Sequence, residues 1–253
     1  MGYVDIFDRM KVDIPVGEVD GMRITKFEVV AKWDEKKHGH RTDVVSPLQM
    51  ARMAMTGRAP RPGWYTRLDE KGDVWMSDTT AERRDHAEPV FAMSTLKPKR
   101  VLINGLGIGM VLSAALSFDR VEHVDVVEID KRVIDLVGPH YLKDPRVTIH
   151  HADAVKQMQA WPADARWDVG WTDIWPEINP DNLEEMKSFT DFYGPRCGFH
   201  GNWAEEMCKR AVWDDRLWDN TYLKFLTEED KEDFADEDAY DAEDEDEDED
   251  EAV

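Results

Sequence analysis

Hydrophobic and polar positions change rhythm at about Arg100. Before that point, short apolar runs are separated by turn residues. Val12-Asp-Ile14 is followed by Pro15 and Gly17, and Asp20-Gly21 separates this stretch from the run Met22 to Val30. An Asp-Gly pair between two such runs predicts a β-hairpin, because both central residues of its tight turn need positive φ. Leu48 to Met55 has helical spacing and is closed by Gly57, Pro60, Pro62 and Gly63. A second hairpin is predicted from Trp64 to Leu68, a turn at Asp69 to Asp73, and the run Val74-Trp-Met76. Ser77-Asp78-Thr79 can then cap a helix from about Thr80 to Met93.

From Arg100 onward strands and helices alternate. Val101-Leu-Ile103, Val124 to Ile129, Arg146 to His150 and Trp167 to Ile174 read as strands. Ile108 to Leu116, Lys131 to about Val137 and Ala154 to Trp161 read as the helices between them. Strands joined by single helices build a parallel, doubly wound sheet with right-handed crossovers. After Trp175 the pattern weakens. Asn182 to Phe192 is helical, Tyr193 to Gly201 is loop or short strand, and Asn202 to about Phe225 is rich in helix signals. No clear fifth, sixth or seventh strand is legible. The expected organisation is a β-rich hairpin region over residues 1–78, a Rossmann-like α/β domain with a mostly parallel sheet over 79–226, and a tail over 227–253.

Charge changes the picture only at that tail. Glu228 to Glu251 carries eighteen acidic residues and one lysine, which is −17 of the formal −23 and leaves −6 for the body. Such a segment repels itself and lacks apolar surface, so it is expected to be disordered. It either solubilises the chain or docks a basic partner. Non-specific nucleic-acid binding is not expected, because it rests on cations meeting phosphates. No stretch reaches the ~20 apolar residues of a membrane span. Met1 to Met10 is too polar for a secretion signal. With Cys197 and Cys208 as the two cysteines, the expectation is free thiols in the cytoplasm.

Four candidate chemical features stand at the ends of four successive strands. Asn104-Gly105-Leu-Gly107-Ile-Gly109 joins the first strand to its helix. Glycines there let the backbone pass close under a ligand, and the helix start offers amide donors; packing alone is the other reason for glycines in such a turn. Met110 stands where the dinucleotide fingerprint has its third glycine, and no phosphate-binding Gly-Lys-Ser/Thr sequence occurs. Glu128 ends the second strand, 23 residues after Gly105, where a carboxylate can accept both ribose hydroxyls; an exposed strand-end charge is the alternative. Asp153-Ala154 follows the third strand. Asp153 can accept from an adenine amino group and can also cap the next helix. Asp173 ends the fourth strand, where it either orients or deprotonates a nucleophile, or serves a structural role.

Other residues are less pointed. Trp171 and Trp175 flank Asp173 at alternate positions, so an extended strand would put all three on one face and let the indoles stack on a planar substrate. His86 and Glu88 either reach the cleft mouth or lie on the surface of the preceding helix. No Cys/His/Asp cluster has metal-ligand spacing, so no metal is expected.

Together, Val101-Leu-Ile-Asn-Gly-Leu-Gly-Ile-Gly109, Val126-Val-Glu-Ile-Asp130, Asp153-Ala154 and Trp167-Asp168 with Asp173 resemble a class I S-adenosylmethionine-dependent methyltransferase of the spermidine-synthase-like branch. The segment Ser77-Asp78-Thr79…Glu82…Asp85-His86, ahead of a Gly-Leu-Gly turn, is similar to phage-encoded methyltransferases. The resemblance spans about Tyr65 to Glu185. It implies a methyltransferase-type sheet, lacking its last strands here, with S-adenosyl-L-methionine as the cofactor. It implies that Gly105, Gly107 and Gly109, preceded by Asn104, line the methionine part. Glu128 would hold the ribose, and Asp153 with Ala154 would face the adenine. It makes Asp173 the catalytic carboxylate. Two positions depart from the pattern. Asn104 replaces an acidic residue. Asp173-Ile-Trp-Pro176 lacks the second aspartate of the Asp-x-x-Asp-Pro sequence of polyamine synthases. The expected activity is methyl transfer to an acceptor the sequence does not identify. Polyamine aminopropyl transfer, or a non-catalytic binding protein on the same fold, are the alternatives. Relatives of this branch also suggest a homodimer.

Overall fold

In the computed structural model, the residues described are 3–55 and 58–211. The acidic tail, and the helix signals beyond residue 211, lie outside them. The N-terminal region contains α1 (Tyr3–Asp8), β1 (Gly17–Val19), β2 (Met22–Val29), α2 (Glu35–His38), α3 (Pro47–Met55), β3 (Gly63–Glu70) and β4 (Asp73–Ser77). Its four strands form an antiparallel sheet in the order β1-β2-β3-β4. Both predicted hairpins are present. Asp20 and Gly21 have φ of 47° and 83°, and Lys71 and Gly72 have φ of 51° and 104°. Two consecutive positive φ angles give the turn whose twist matches the flanking strands.

The helix expected from Thr80 to Met93 is two helices, α4 (Thr80–Asp85) and α5 (Ala87–Leu96), broken at His86 with φ −102° and ψ 15°. Pro89 is the cause. Its ring has no N–H to give the carbonyl four residues back, and it clashes with that carbonyl. Thr79, rather than Asp78, caps α4. Asp78 is fully buried and accepts from the Thr66 and Val12 amides, tying β3 to the N-terminal segment.

The second half contains β5 (Arg100–Asn104), α6 (Met110–Leu116), β6 (His123–Glu128), α7 (Lys131–Tyr141), β7 (Val147–His151), α8 (Ala154–Ala160), β8 (Trp167–Thr172), α9 (Asn182–Tyr193) and β9 (Cys197–Asn202). All five strands are parallel, in the order β7-β6-β5-β8-β9. This is a doubly wound, Rossmann-like parallel sheet. The fifth strand, illegible in the sequence, is β9, which pairs along β8 from Trp167↔Cys197 to Thr172↔Asn202.

Side chains alternate across the sheet. Val101, Ile103, Val124, Val126 and Val169 pack with α5, α6 and α7, whereas Leu102, Val127 and Trp167 pack with α8 and α9. Each such buried aliphatic stabilises the fold by roughly 1.5–3 kcal/mol. The first of these cores continues without a break into Met10, Ile14, Met22, Ile24 and Leu68, so the hairpin sheet and the parallel sheet share one interior. The connections leave β5 toward β6 and β7, then return across it to β8 and β9. That reversal makes the carboxyl ends of β5 and β8 the topological switch point, the place where open α/β sheets take their ligands.

Candidate functional site

The turn from Gly105 to Gly109 is built against its own chain. Gly105 has φ +95°, and a Cβ there would overlap the backbone carbonyl oxygen of Asp173. Only glycine lets β5 leave the sheet this close to the end of β8. Gly107 differs: its missing Cβ faces the thioether of Met76 on β4, a movable side-chain end. The Ile108 amide donates to that same sulfur at 3.2 Å. The one wall of the turn facing a displaceable group is thus at Gly107. Gly109 precedes α6, with the Tyr141 hydroxyl donating to its carbonyl at 3.1 Å.

Glu128 points at the turn. Its Oε2 accepts from the Leu106 amide and its Oε1 from the Asp130 amide, both at 2.8 Å. A carboxylate has about four lone-pair positions, so each oxygen keeps one for a further donor. The side chain is therefore oriented but not saturated. The next residue, Ile129, is 64% exposed, an apolar side chain left open beside that carboxylate.

Asp153 caps α8, its Oδ1 accepting from the Val155 and Lys156 amides at 2.8 and 3.3 Å. Ala154 begins α8 and is buried in the second core. Asn104 is fully buried, and its Nδ2 donates to Thr172 Oγ1 at 3.0 Å. Its side chain lies inside the sheet rather than along the turn.

Asp173 follows the last residue of β8, and its Oδ2 lies 2.6 Å from His86 Nε2. The other ring nitrogen, Nδ1, is 2.8 Å from the Glu82 carbonyl. His86 is buried, edge-on to Trp171 and stacked near Trp203. Burial by itself would lower its pKa. The Asp173 carboxylate and its hydrogen bond outweigh that and raise it to about 9. Glu88, by contrast, is exposed.

Trp171 and Trp175 do not share one face: Trp171 lies against His86, the partner of Asp173, whereas Trp175 packs on the other side of the sheet. The strand ends at Thr172, so alternation stops there, and the two indoles belong to different cores. Trp175 donates from Nε1 to Glu185 at 2.7 Å, on the α9 side. The stacking role expected for this pair is corrected accordingly.

The arrangement gathers the turn, Glu128, Asp153 and Asp173 at one end of the sheet. It adds three residues that sequence reasoning missed or left open: Met76, Ile129 and His86. The signal for His86 was Pro89 three residues later, which forces the helix break. Among the described residues no group of three or more His, Cys, Asp or Glu could hold a metal ion. No described helix is long and apolar enough to cross a membrane. Cys197 and Cys208 are free, and burial pushes the Cys197 thiol up to about 12, away from a reactive thiolate at neutral pH.

Residues 88–191 match the spermine/spermidine synthase domain family. The chain is 32% identical over 103 residues to polyamine aminopropyltransferase 2 of Ralstonia nicotianae, covering 37% of this chain and 20% of that protein. It is 33% identical over 100 residues to a polyamine aminopropyltransferase of Prochlorococcus marinus, covering 36% and 34%. It is 38% identical over 71 residues to spermidine synthase 1 of Pisum sativum, covering 26% and 21%. The chain thus spans between a fifth and about a third of these relatives' lengths. Among solved structures, an S-adenosylhomocysteine-bound methyltransferase of Podospora anserina superposes with a TM-score of 0.35 at 17% identity, over 45% of this chain and 48% of that one. The matched region begins just after His86 and contains the glycine turn, Glu128, Asp153 and Asp173. Over residues 88–191 the chain is thus similar to the spermine/spermidine synthase domain family.

Proposed function

We propose that this chain transfers an alkyl group from an adenosyl sulfonium to an amine, with decarboxylated S-adenosylmethionine as donor and the aminopropyl group as cargo. The observation that carries the reading is Glu128, held at the end of β6 by the Leu106 amide with lone pairs to spare. This is the position from which a carboxylate grips a ribose beside a glycine turn. The donor fits the residues present. Gly107 offers a wall that only a movable thioether crosses, and Asp153 keeps a carboxylate oxygen beyond its helix cap. In this reading Asn104 contributes through the strand that sets the turn rather than through its side chain.

The sulfonium supplies the chemistry, because it makes the adjacent carbon electrophilic and leaves as a neutral thioether. The chain's task is alignment and proton removal. An amine nitrogen forms the new C–N bond, the C–S bond breaks with its electron pair passing to sulfur, and the proton lost from nitrogen goes to Asp173. The similarity of residues 88–191 to polyamine aminopropyltransferases supports amine over other acceptors.

Methyl transfer from S-adenosylmethionine is the second reading. It is favoured by Pro176, which stands where an Asp-x-x-Asp-Pro pattern starting at Asp173 has its second aspartate, while the neighbouring Trp175 turns toward Glu185. That leaves the site one carboxylate short for gripping a diamine.

The two readings give different products. Incubation with decarboxylated S-adenosylmethionine and putrescine is expected to release 5′-methylthioadenosine in an amine-dependent way. Release of S-adenosylhomocysteine from S-adenosylmethionine instead favours methyl transfer. Absence of calorimetric binding for either donor sinks both and leaves a non-catalytic protein.

A further inference from the structure

The Glu82 carbonyl can only accept a hydrogen bond, so His86 Nδ1 carries a proton whenever that 2.8 Å contact is made. At the other ring nitrogen, 2.6 Å separates Nε2 from Asp173 Oδ2, a distance that requires one proton between them. With Nδ1 already protonated, two arrangements remain: an imidazolium against a carboxylate, or a neutral ring against a carboxylic acid. Two bare lone pairs facing each other at this distance would repel, so loss of the shared proton breaks the pair.

We propose that His86 is a positioning residue, present as the imidazolium, that anchors one oxygen of the Asp173 carboxylate and leaves the other for the acceptor's proton. This rests on the reading of Asp173 as the proton acceptor of the transfer. Burial supports the assignment. His86 is enclosed by protein, whereas the Asp173 side chain keeps 19% of its surface exposed, so one carboxylate is both anchored and reachable. The local backbone supports it as well. The break between α4 and α5 that Pro89 imposes is what swings the ring off a helix surface and under β8.

The charged groups around the ring all favour its cationic form or stand away from it. Asp173 comes from the end of β8, and Glu82 and Asp85 come from α4. Arg58 pairs with Asp85 at 2.6 Å and with Glu82 at 3.5 Å, so it is turned toward those carboxylates. Glu88 on α5 faces Glu205, Glu206 and Lys209. Trp171 and Trp203 lie against the His86 ring.

The consequence is an upper limit on the working pH. The raised basicity of His86 keeps the pair intact through neutral pH, and the shared proton leaves near pH 9. Above that, Asp173 loses its anchor and turnover falls, although the amine acceptor itself becomes more nucleophilic as pH rises. The upper limb of the pH profile would then belong to the protein and not to the substrate.

The test is ¹⁵N NMR of the full chain, titrated from pH 6 to 10, beside kcat profiles of wild type, His86→Gln and Asp173→Asn. Expected at pH 7 is a His86 ring with both nitrogens protonated, titrating near 9 in wild type. In Asp173→Asn the strongest group favouring the cation is gone and burial opposes only the weaker influence of Glu82, so that titration should fall well below its wild-type value. Gln keeps an N–H donor without a titrating group. His86→Gln should therefore retain the KM for the adenosyl donor within about twofold, lose ~10–100-fold in kcat and lose the alkaline limb. A singly protonated, neutral ring at pH 7 overturns the proposal, as does an alkaline limb unchanged in His86→Gln. The NMR arm needs no turnover, so it separates this proposal from the transfer reading. Proton sharing in a protein that binds neither donor ends the assignment of a catalytic base to position.

Discussion

The Leu106 amide donates to Glu128 Oε2 at 2.8 Å, joining the glycine turn after β5 to the end of β6. This bond crosses between two neighbouring strands, so the proposed nucleoside grip and the turn beneath it move as one unit. A ligand entering here meets a carboxylate that is already aimed, which removes the ordering cost of aiming it on binding.

Glu128→Gln tests that grip. The amide cannot accept from both backbone donors and both ribose hydroxyls, and it brings an NH₂ toward a backbone N–H. Affinity for the adenosyl donor is expected to fall by ~10–100-fold, since hydrogen bonds to charged groups contribute about 1.5–3 kcal/mol. Titration calorimetry reads the loss. Unchanged affinity would remove Glu128 from the binding site.

Gly105→Ala and Gly107→Ala should separate by kind. At Gly105 the new methyl meets backbone at a positive φ, and about 3 kcal/mol or more of stability should be lost. At Gly107, also at positive φ, it meets only the flexible end of Met76, so the loss of stability should be about 1 kcal/mol, the fold should persist and donor binding should weaken. Thermal denaturation with parallel calorimetry distinguishes the two. Equal destabilisation at both positions would mean that Gly107 is packing and not a ligand wall.

Met76→Ala opens the turn. The thioether sulfur is a weak acceptor for the Ile108 amide, and a ligand resting on Gly107 has to displace it. Donor affinity is expected to rise by up to ~10-fold, which corresponds to the roughly 0.5–1.5 kcal/mol of one ordinary hydrogen bond. A clear drop in affinity would recast Met76 as a contact residue.

Pro89→Ala should let the helix run through residue 86 and carry the His86 ring away from Asp173. The expected result is a stable protein with kcat reduced ~10-fold or more and donor KM little changed. Full activity would show that the bond to Asp173 does not depend on the helix break.

Acid lability should trace in part to His200. Burial pushes its pKa down to about 4, and its Nε2 bonds Thr172 Oγ1 at the end of β8. The folded-state pKa is depressed, so the unfolded chain takes up the proton first. Stability from this residue is present above about 6.5 and drains away as pH falls toward 4. Between pH 7 and 5, wild type should lose about 1 kcal/mol more than His200→Gln, after allowance for partial exposure. Parallel pH dependence in the two proteins would contradict this.

Much of the site was legible along the chain. Each of Gly105, Gly107, Gly109, Glu128, Asp153 and Asp173 lies at a strand end, and a strand end is a local feature. Periodicity gives its position, and the parallel order brings such ends together at one edge. The hairpin turns were equally local, because Asp20-Gly21 and Lys71-Gly72 satisfy their own φ requirements. Asn104 stands at the same strand end. Sequence position put it at the turn, but alternation across β5 sends its side chain into the sheet.

The chain by itself determined the alternation of strands and helices, the glycine turn and the carboxylates that follow each strand, since these follow from short-range period and backbone sterics. Tertiary structure decided three other things. Cys197–Asn202 becomes a strand by pairing with β8 despite little strand character of its own. Met76 reaches the turn from a separate sheet across a shared core. His86 meets Asp173 across 87 residues. Contacts between residues so distant in sequence leave no periodic trace, because their partners are chosen by burial and close packing in three dimensions.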